Sequence, residues 1–500
     1  SWTNSGTYTS GTNLVTFDGT AGPLDITSGG TAAGQDFYDV TVAGGAAVRF
    51  RLQSNTLITN DLTVSSGILD TLGNDLTISG TTAQIDGTLD FSNSLAVDVL
   101  DVNAVLDVNG SLLAGVGTIQ ADQNVDFAGG AFTKGSGTFE FDGTATRDLR
   151  TNGQDLGDIQ VSGDMQLLDA GDFDAVTVGG TFATGQNMTV AGDWSDTGTV
   201  TISGGTVTFD NGGAQAISSN VNPFNNVQIG DGTNDSLMTL NSGIDVNGNL
   251  SFGAAGASTL DFRGDTITVG GNGDFSNAGA VTTDGTSVLN FDGAGNQTFT
   301  TGGYNYQDVT KSGGSGTQRE GGEMNATGTL TVSAGTIVDL QGNNFTVGTL
   351  VNNNLLQIEG SQGTQSITTM DTDSGQVEYD GGAGGTVGIG SFYDLLIDGA
   401  GTFSVGSAIA VTRNLELAGG TLDVTAGNNY GITLGGTWTN SGGVFAEQAG
   451  EVEFDGAGGA TAGGAETYYD LRVSGTLTLG RALDVSNNVV IEGTGTLDAS

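Results

Sequence analysis

The chain has 500 residues with Gly 89, Pro 2, Cys 0 and His 0, and Asp+Glu 56 against Lys+Arg 11 set a formal net charge of −45. These numbers exclude disulfides, thiolate metal sites, thiol nucleophiles and histidine-based triads, and so acidic a surface repels nucleic-acid phosphates and anionic lipid. A hydrophobic fraction of 36% supports a core along the whole length, glycine without a three-residue period excludes collagen, and no apolar run approaches the ~18 residues of a membrane span.

Taken in chain order, the sequence repeats itself. Trp2-Thr3-Asn4-Ser5-Gly6 leads to Phe17-Asp18-Gly19, and then to Phe37-Tyr38-Asp39-Val40. Phe141-Asp142-Gly143 precedes the weaker Leu156-Gly157-Asp158-Ile159. Trp194-Ser195-Asp196-Thr197-Gly198 leads to Phe209-Asp210-Asn211 and Phe224-Asn225-Asn226-Val227. Phe275-Ser276-Asn277-Ala278-Gly279 substitutes Phe for Trp, and leads to Phe291-Asp292 and Tyr306-Gln307-Asp308-Val309. Tyr379-Asp380-Gly381 and Phe392-Tyr393-Asp394-Leu395 follow; Trp438-Thr439-Asn440-Ser441-Gly442, Phe454-Asp455-Gly456 and Tyr468-Tyr469-Asp470-Leu471 close the series. Self-similarity of this kind names a repeat architecture before any single residue is interpreted.

A finer period lies inside the long units. Leu69-Asp70, Leu89-Asp90 and Leu106-Asp107 follow at steps of 20 and 17 residues, the size of one coil of a parallel β-solenoid. The expectation is therefore an all-β chain forming one continuous right-handed solenoid over residues 1–500. About six long units start near residues 2, 132, 194, 275, 350 and 438, with additional coils near 85–130. Twenty to twenty-seven coils at ~4.8 Å would make a rod of roughly 100 to 130 Å. Tandem β-sandwich domains are the alternative. Unit lengths that jump by about one coil, the lack of linkers, and strands shorter than the ~5–6 residues usual in sandwiches disfavour it.

The Gly-Asn-Leu-Ser and Gly-Thr-Leu-Asp strands (Gly248 to Ser251, Gly420 to Asp423, Gly495 to Asp498) and the Trp-x-Asn-Ser-Gly turns resemble the β-helical repeats of large secreted bacterial surface proteins, such as filamentous adhesins and autotransporter passengers. The resemblance implies an elongated extracellular scaffold and supplies no catalytic motif.

Candidate sites are few. The aspartates Asp18, Asp142, Asp210, Asp292, Asp380 and Asp455 could offer carboxylates to calcium, but no second acidic residue recurs at ligand spacing, so the turn after a strand explains them better. The second series, Asp39, Asp158, Asp308, Asp394 and Asp470, tolerates Asn226, which indicates hydrogen bonding at a turn. Trp2, Trp194, Trp438 and Phe275 could stack sugars as a row, but the expectation is that they fill the core. The irregular stretch Thr310 to Thr327, with Lys311, Arg319, Glu320 and Glu323, is the first place to look for a carboxylate pair of glycosidase type, against the plainer reading of a surface loop. Asn109, Asn187 and Asn325 head Asn-x-Ser/Thr triplets that arise readily in such a composition.

No catalytic, cofactor-binding or metal-ligating residue is assigned. The functional expectation is a non-enzymatic structural or adhesive protein of a cell surface or extracellular matrix, with no nucleic acid and no membrane insertion. The alternative is a β-helical polysaccharide-processing enzyme or tail-spike-like glycan-binding protein. Glycans and other cell-surface components are the candidate partners. Residues 1 and 500 fall in compatible phase of the repeat, and open coils of this kind are expected to self-associate head-to-tail into a filament.

Overall fold

A computed structural model of the chain describes residues 1–220, 222–233, 236–253, 258–464 and 466–499; Ser500, one of the two ends in the stacking expectation, lies outside them. Every regular element among the described residues is a β-strand, and neighbouring strands pair in parallel. The fold is a parallel β-solenoid, and parallel ladders of coil-spaced strands rule out antiparallel sandwiches. Contacts divide the chain into two compact units, one of residues 1–244 with 253–258 and one of 245–252 with 259–500.

In the first unit, one ladder runs from Trp2–Thr3 to Ala131–Thr133, a second from Leu14–Phe17 to Thr199–Ile202, and a third from Thr56–Ile58 to Leu237–Leu240. Partners lie one coil apart, from 17 residues between Met165 and Phe182 to 26 between Leu24 and Phe50. Alternation along each strand decides which side chains enter the coil. In the second ladder Val40, Leu62, Ala83, Leu106, Val125 and Leu149 stack in register and are all buried. Each buried Val or Leu contributes about 1.5–3 kcal/mol. Their neighbours Thr41, Thr63, Gln84, Asp107 and Asp126 form the outward row.

The second unit repeats the scheme. One ladder runs from Leu250–Phe252 to Thr496–Asp498, and another from Thr266–Val269 to Gln365–Thr369. After the second of these ends, two new ladders begin at Gly384–Val387 and Ser391–Phe392.

Glycine marks corners where coils touch. Gly143, Gly163, Gly180 and Gly198 form a column in which a Cβ on each of the last three would collide with the carbonyl of the glycine one coil earlier. No other residue type fits such a backbone approach.

Where a ladder stops, a side-chain amide takes its place. Beyond Ala131–Thr133, the Phe132 amide donates to Gln154 Oε1 at 2.9 Å. Next to Thr199–Ile202, Asn222 Nδ2 donates to Gly198 O at 3.0 Å. Beyond Gln365–Thr369, Gln365 Nε2 donates to Thr386 O at 2.8 Å while its Oε1 accepts from the Gly388 amide at 3.1 Å.

Candidate functional site

The two aspartate series have different structural roles. The strand before the aromatic-Asp marker pairs with the strand that carries the second aspartate: Leu14 lies in register with Asp39, Thr138 with Asp158, Val288 with Asp308, Gln376 with Asp394 and Glu451 with Asp470. The second aspartate then reaches onward. Its Oδ1 accepts a backbone N–H from the following coil: Asp61 at 3.2 Å, Ala175 at 3.1 Å, Thr329 at 2.6 Å, Asn414 at 3.0 Å and Asn488 at 3.0 Å. Asn226 donates its Nδ2 backward to Gly205 O at 3.0 Å. These carboxylates splice one coil to the next, and hydrogen bonding explains why an amide can replace one.

The marker aspartates end their strands. The amides of Asp142, Asp210, Asp292, Asp380 and Asp455 donate to the carbonyls of Ala121, Val190, Val269, Ile358 and Leu434, one coil earlier. Asp18, Asp142, Asp292 and Asp455 are exposed. Among the described residues, no group of three or more acidic side chains is arranged to hold a metal ion. Asp380 is the unusual member. Burial, and then Asp339, Glu378 and Glu359, push its carboxyl up to about 6, and its Oδ1 is buried with no hydrogen-bond partner among the described residues.

The tryptophan positions face inward. Trp194, Trp438 and Phe275 are fully buried and Trp2 half-buried, so three of the four cannot stack on an external sugar. Trp194 Nε1 donates to Asp196 Oδ2 at 2.8 Å inside the coil.

The stretch Thr310 to Thr327 is no surface loop and does not interrupt the repeat. It runs through the strands Asp308–Lys311, Thr317–Glu320 and Met324–Val332, all paired in the ladders and joined by short turns at 312–316 and 321–323. Its charged groups diverge. Lys311 is fully buried at a position that is apolar in other coils, and its Nζ donates to Gly293 O at 2.6 Å and Gln297 Oε1 at 2.8 Å. Burial lowers its pKa, against the pull of Asp292. Glu320 is also buried; Gln318 Nε2 donates to its Oε1 at 2.9 Å, and burial raises its carboxyl well above the usual range. Arg319 turns outward to Asp339 at 3.7 Å, and Glu323 is exposed. No pair of carboxylates faces a common cleft here. Of the triplet asparagines, Asn187 uses its Oδ1 to accept the Thr206 amide at 2.9 Å, and Asn109 Nδ2 donates to Asp86 at 3.1 Å.

Sequence reasoning passed over the break that does open a cavity. It lies between Ser366–Met370 and Gly388–Ser391, with a volume of about 470 Å³. The signal is local: Gln365-Ser366-Ile367-Thr368-Thr369 carries a single apolar residue, and none of its five side chains is buried. A shallower depression of about 580 Å³ beside it contains Arg413, which pairs bidentately with Asp394 and lies 4.8 Å over the ring of Tyr393.

Comparison of the chain with protein-family models, curated proteins and solved structures finds no match. Fold and site geometry therefore carry the functional argument.

Proposed function

We propose that the chain is a non-enzymatic structural and adhesive protein of an extracellular fibre or matrix at a cell surface. The observation that carries this reading is continuity. The stretch in which Lys311, Arg319, Glu320 and Glu323 could have formed a reactive cluster follows the coil, with Lys311, Arg319 and Glu320 on paired strands and Glu323 in the turn between two of them, and its charges point apart. Chemistry that is spread evenly along coils suits a scaffold, because a reaction centre needs groups converging on one atom. In this reading coils of neighbouring subunits stack head-to-tail, since a coil edge presents strand groups that another coil can pair. The outward rows of Thr, Gln, Asp and Glu suit an aqueous, salt-screened setting.

Electron microscopy of the purified chain, run beside a screen for polysaccharide hydrolysis, tests the proposal. Filaments without turnover support it. Monodisperse particles that hydrolyse a glycan overturn it. One observation favours the alternative of a polysaccharide-processing enzyme: Asp380, with its carboxyl near about 6 beside Glu378 and Glu359, has the acidity of a general acid. Turnover abolished by Asp380→Asn would establish that alternative.

A further inference from the structure

The ladder that runs through Thr266–Val269 ends on Gln365–Thr369, and among the described residues the backbone of the following coil does not pair with this last strand. The Gln365 amide holds the two coils together at one end. Past it the walls part, and the groove between them is lined by the hydroxyls of Ser366, Thr368, Thr372 and Ser391 and the apolar side chains of Ile367 and Ile389.

Two properties of this groove bear on what it could hold. None of its lining residues is ionisable, on a chain with 56 acidic residues. In addition, among the described residues none of these four hydroxyls has a hydrogen-bond partner, so all four are open to a ligand, as outward hydroxyls such as those of Thr41 and Thr63 are elsewhere on the coils. Free hydroxyls donate and accept, and they are interleaved here with apolar side chains and an unpaired strand edge. A concave surface of this size with convergent polar groups has the geometry of a ligand site. Its neutrality selects the ligand. A cation would find no carboxylate in the lining, and an anion would meet the field of the whole chain.

We propose that this groove binds a short, uncharged oligosaccharide, whose hydroxyls pair with the free hydroxyls and backbone groups while its C–H faces cover Ile367 and Ile389. The proposal rests on the adhesive reading above, and gives it a ligand class and a place. A peptide adding as a strand to the same edge is disfavoured. The free edge is short, two of its five residues turn outward, and the Gln365 amide closes the end along which a strand would have to continue.

The test is calorimetric titration of the whole chain with neutral tetrasaccharides built from glucose, galactose, mannose, xylose and N-acetylglucosamine. A neutral Thr-Val pentapeptide is titrated in parallel. Thr368→Trp fills the groove from an exposed position, and Thr372→Ala with Ser391→Ala removes two hydroxyls without adding bulk. Thermal melts establish that each variant folds. The expected result is saturable binding of at least one sugar, insensitive to salt, and weakened about tenfold or more by Thr368→Trp, or roughly 1.4 kcal/mol at the tenfold limit. No binding of any sugar, binding that Thr368→Trp leaves unchanged, or tighter binding of the pentapeptide than of every sugar overturns the proposal. Filament formation is scored on the same samples. Filaments without sugar binding remove the groove assignment alone, and loss of both removes the adhesive reading as well.

Discussion

The indole of Trp438 meets the ring of Tyr468 edge-on, with centroids 5.5 Å apart and planes at 77°. The same pairing joins Trp194 to Phe224 at 5.3 Å, Phe275 to Tyr306 at 6.0 Å and Trp2 to Phe37 at 5.5 Å. The turn that opens a long unit and the aromatic that precedes its second aspartate are therefore the two halves of one interior contact. That contact gives a physical reason for the two motifs to recur together. Edge-on aromatic pairs contribute about 0.5–1.5 kcal/mol beyond the area they bury.

Truncating these rings should be costly. Trp438→Ala is expected to lower stability by about 3–5 kcal/mol, the usual range for an aromatic removed from a packed core. Phenylalanine distinguishes the two tryptophans. Among the described residues Trp438 Nε1 has no hydrogen-bond partner, while Trp194 Nε1 is bonded to the buried Asp196. Trp194→Phe should therefore destabilise more than Trp438→Phe. Urea unfolding followed by circular dichroism measures both, and equal losses would contradict the assigned role of the Asp196 bond.

The splice between coils can be tested at Asp308, whose Oδ1 accepts the Thr329 amide at 2.6 Å. Asp308→Asn keeps an acceptor in place and should be nearly neutral. Asp308→Ala leaves that amide unpaired and should cost about 1–3 kcal/mol. Hydrogen exchange at the Thr329 amide reads this directly: faster in the alanine variant, little changed in the asparagine variant. Equal exchange in all three proteins would remove the splice.

The distribution of what was readable in the sequence follows the range of the interactions. Coil length and strand phase are local and recur, so Leu69, Leu89 and the aromatic-Asp markers announce them. Asp39, Trp194 and their equivalents are scaffold for the same reason, because a position used in every unit more readily serves the coil than a single site. What escaped depends on a single coil. Lys311 and Glu320 are charged residue types at inward positions, and composition alone assigns them to the surface; only the register with Phe291 and Phe299 places them inside. The groove beyond Gln365–Thr369 arises from a pairing that fails to form, and that failure leaves almost no mark in the sequence.

Stacked coils bring like charges close, and the chain separates them with bridging groups. Glu140 lies between Gln120 and Gln160, both donating to it, at 2.9 and 3.1 Å. Asp70 and Asp90 lie in register one coil apart, both buried, and Arg49 Nη1 bonds them at 2.7 and 2.5 Å. Burial alone would raise the Asp90 carboxyl, but hydrogen bonds from Ser92 and Arg49 outweigh it, and its pKa is lowered. A carboxyl held below its unfolded value stabilises above that value and loses the contribution as pH falls through the folded one. Arg49→Met should therefore lower stability at neutral pH by about 1–3 kcal/mol. The loss should shrink on acidification, as the Asp90 carboxyl takes up its proton. A loss that stays the same down to about pH 3 would mean that Arg49 acts only through packing.

Asp380 should behave in the opposite sense. Its folded pKa of about 6 stands above the ordinary 3.8, through burial first and then the charges of Asp339, Glu378 and Glu359. The folded chain therefore holds the proton more tightly than the unfolded chain across that interval. Stability from this group falls as pH rises from about 4 to about 6, and stays at the lower level above it. Asp380→Asn preserves the shape and removes the charge. It should raise the melting temperature at pH 7, and the gain should disappear near about pH 4, where the wild-type carboxyl is already protonated. Glu320, whose carboxyl is raised in the same direction, is present in both proteins and cancels in the difference. Melting curves of the pair across this range decide the matter. A gain of the same size at both ends would show that the substitution acts through packing, and that the Asp380 carboxyl is ionised throughout.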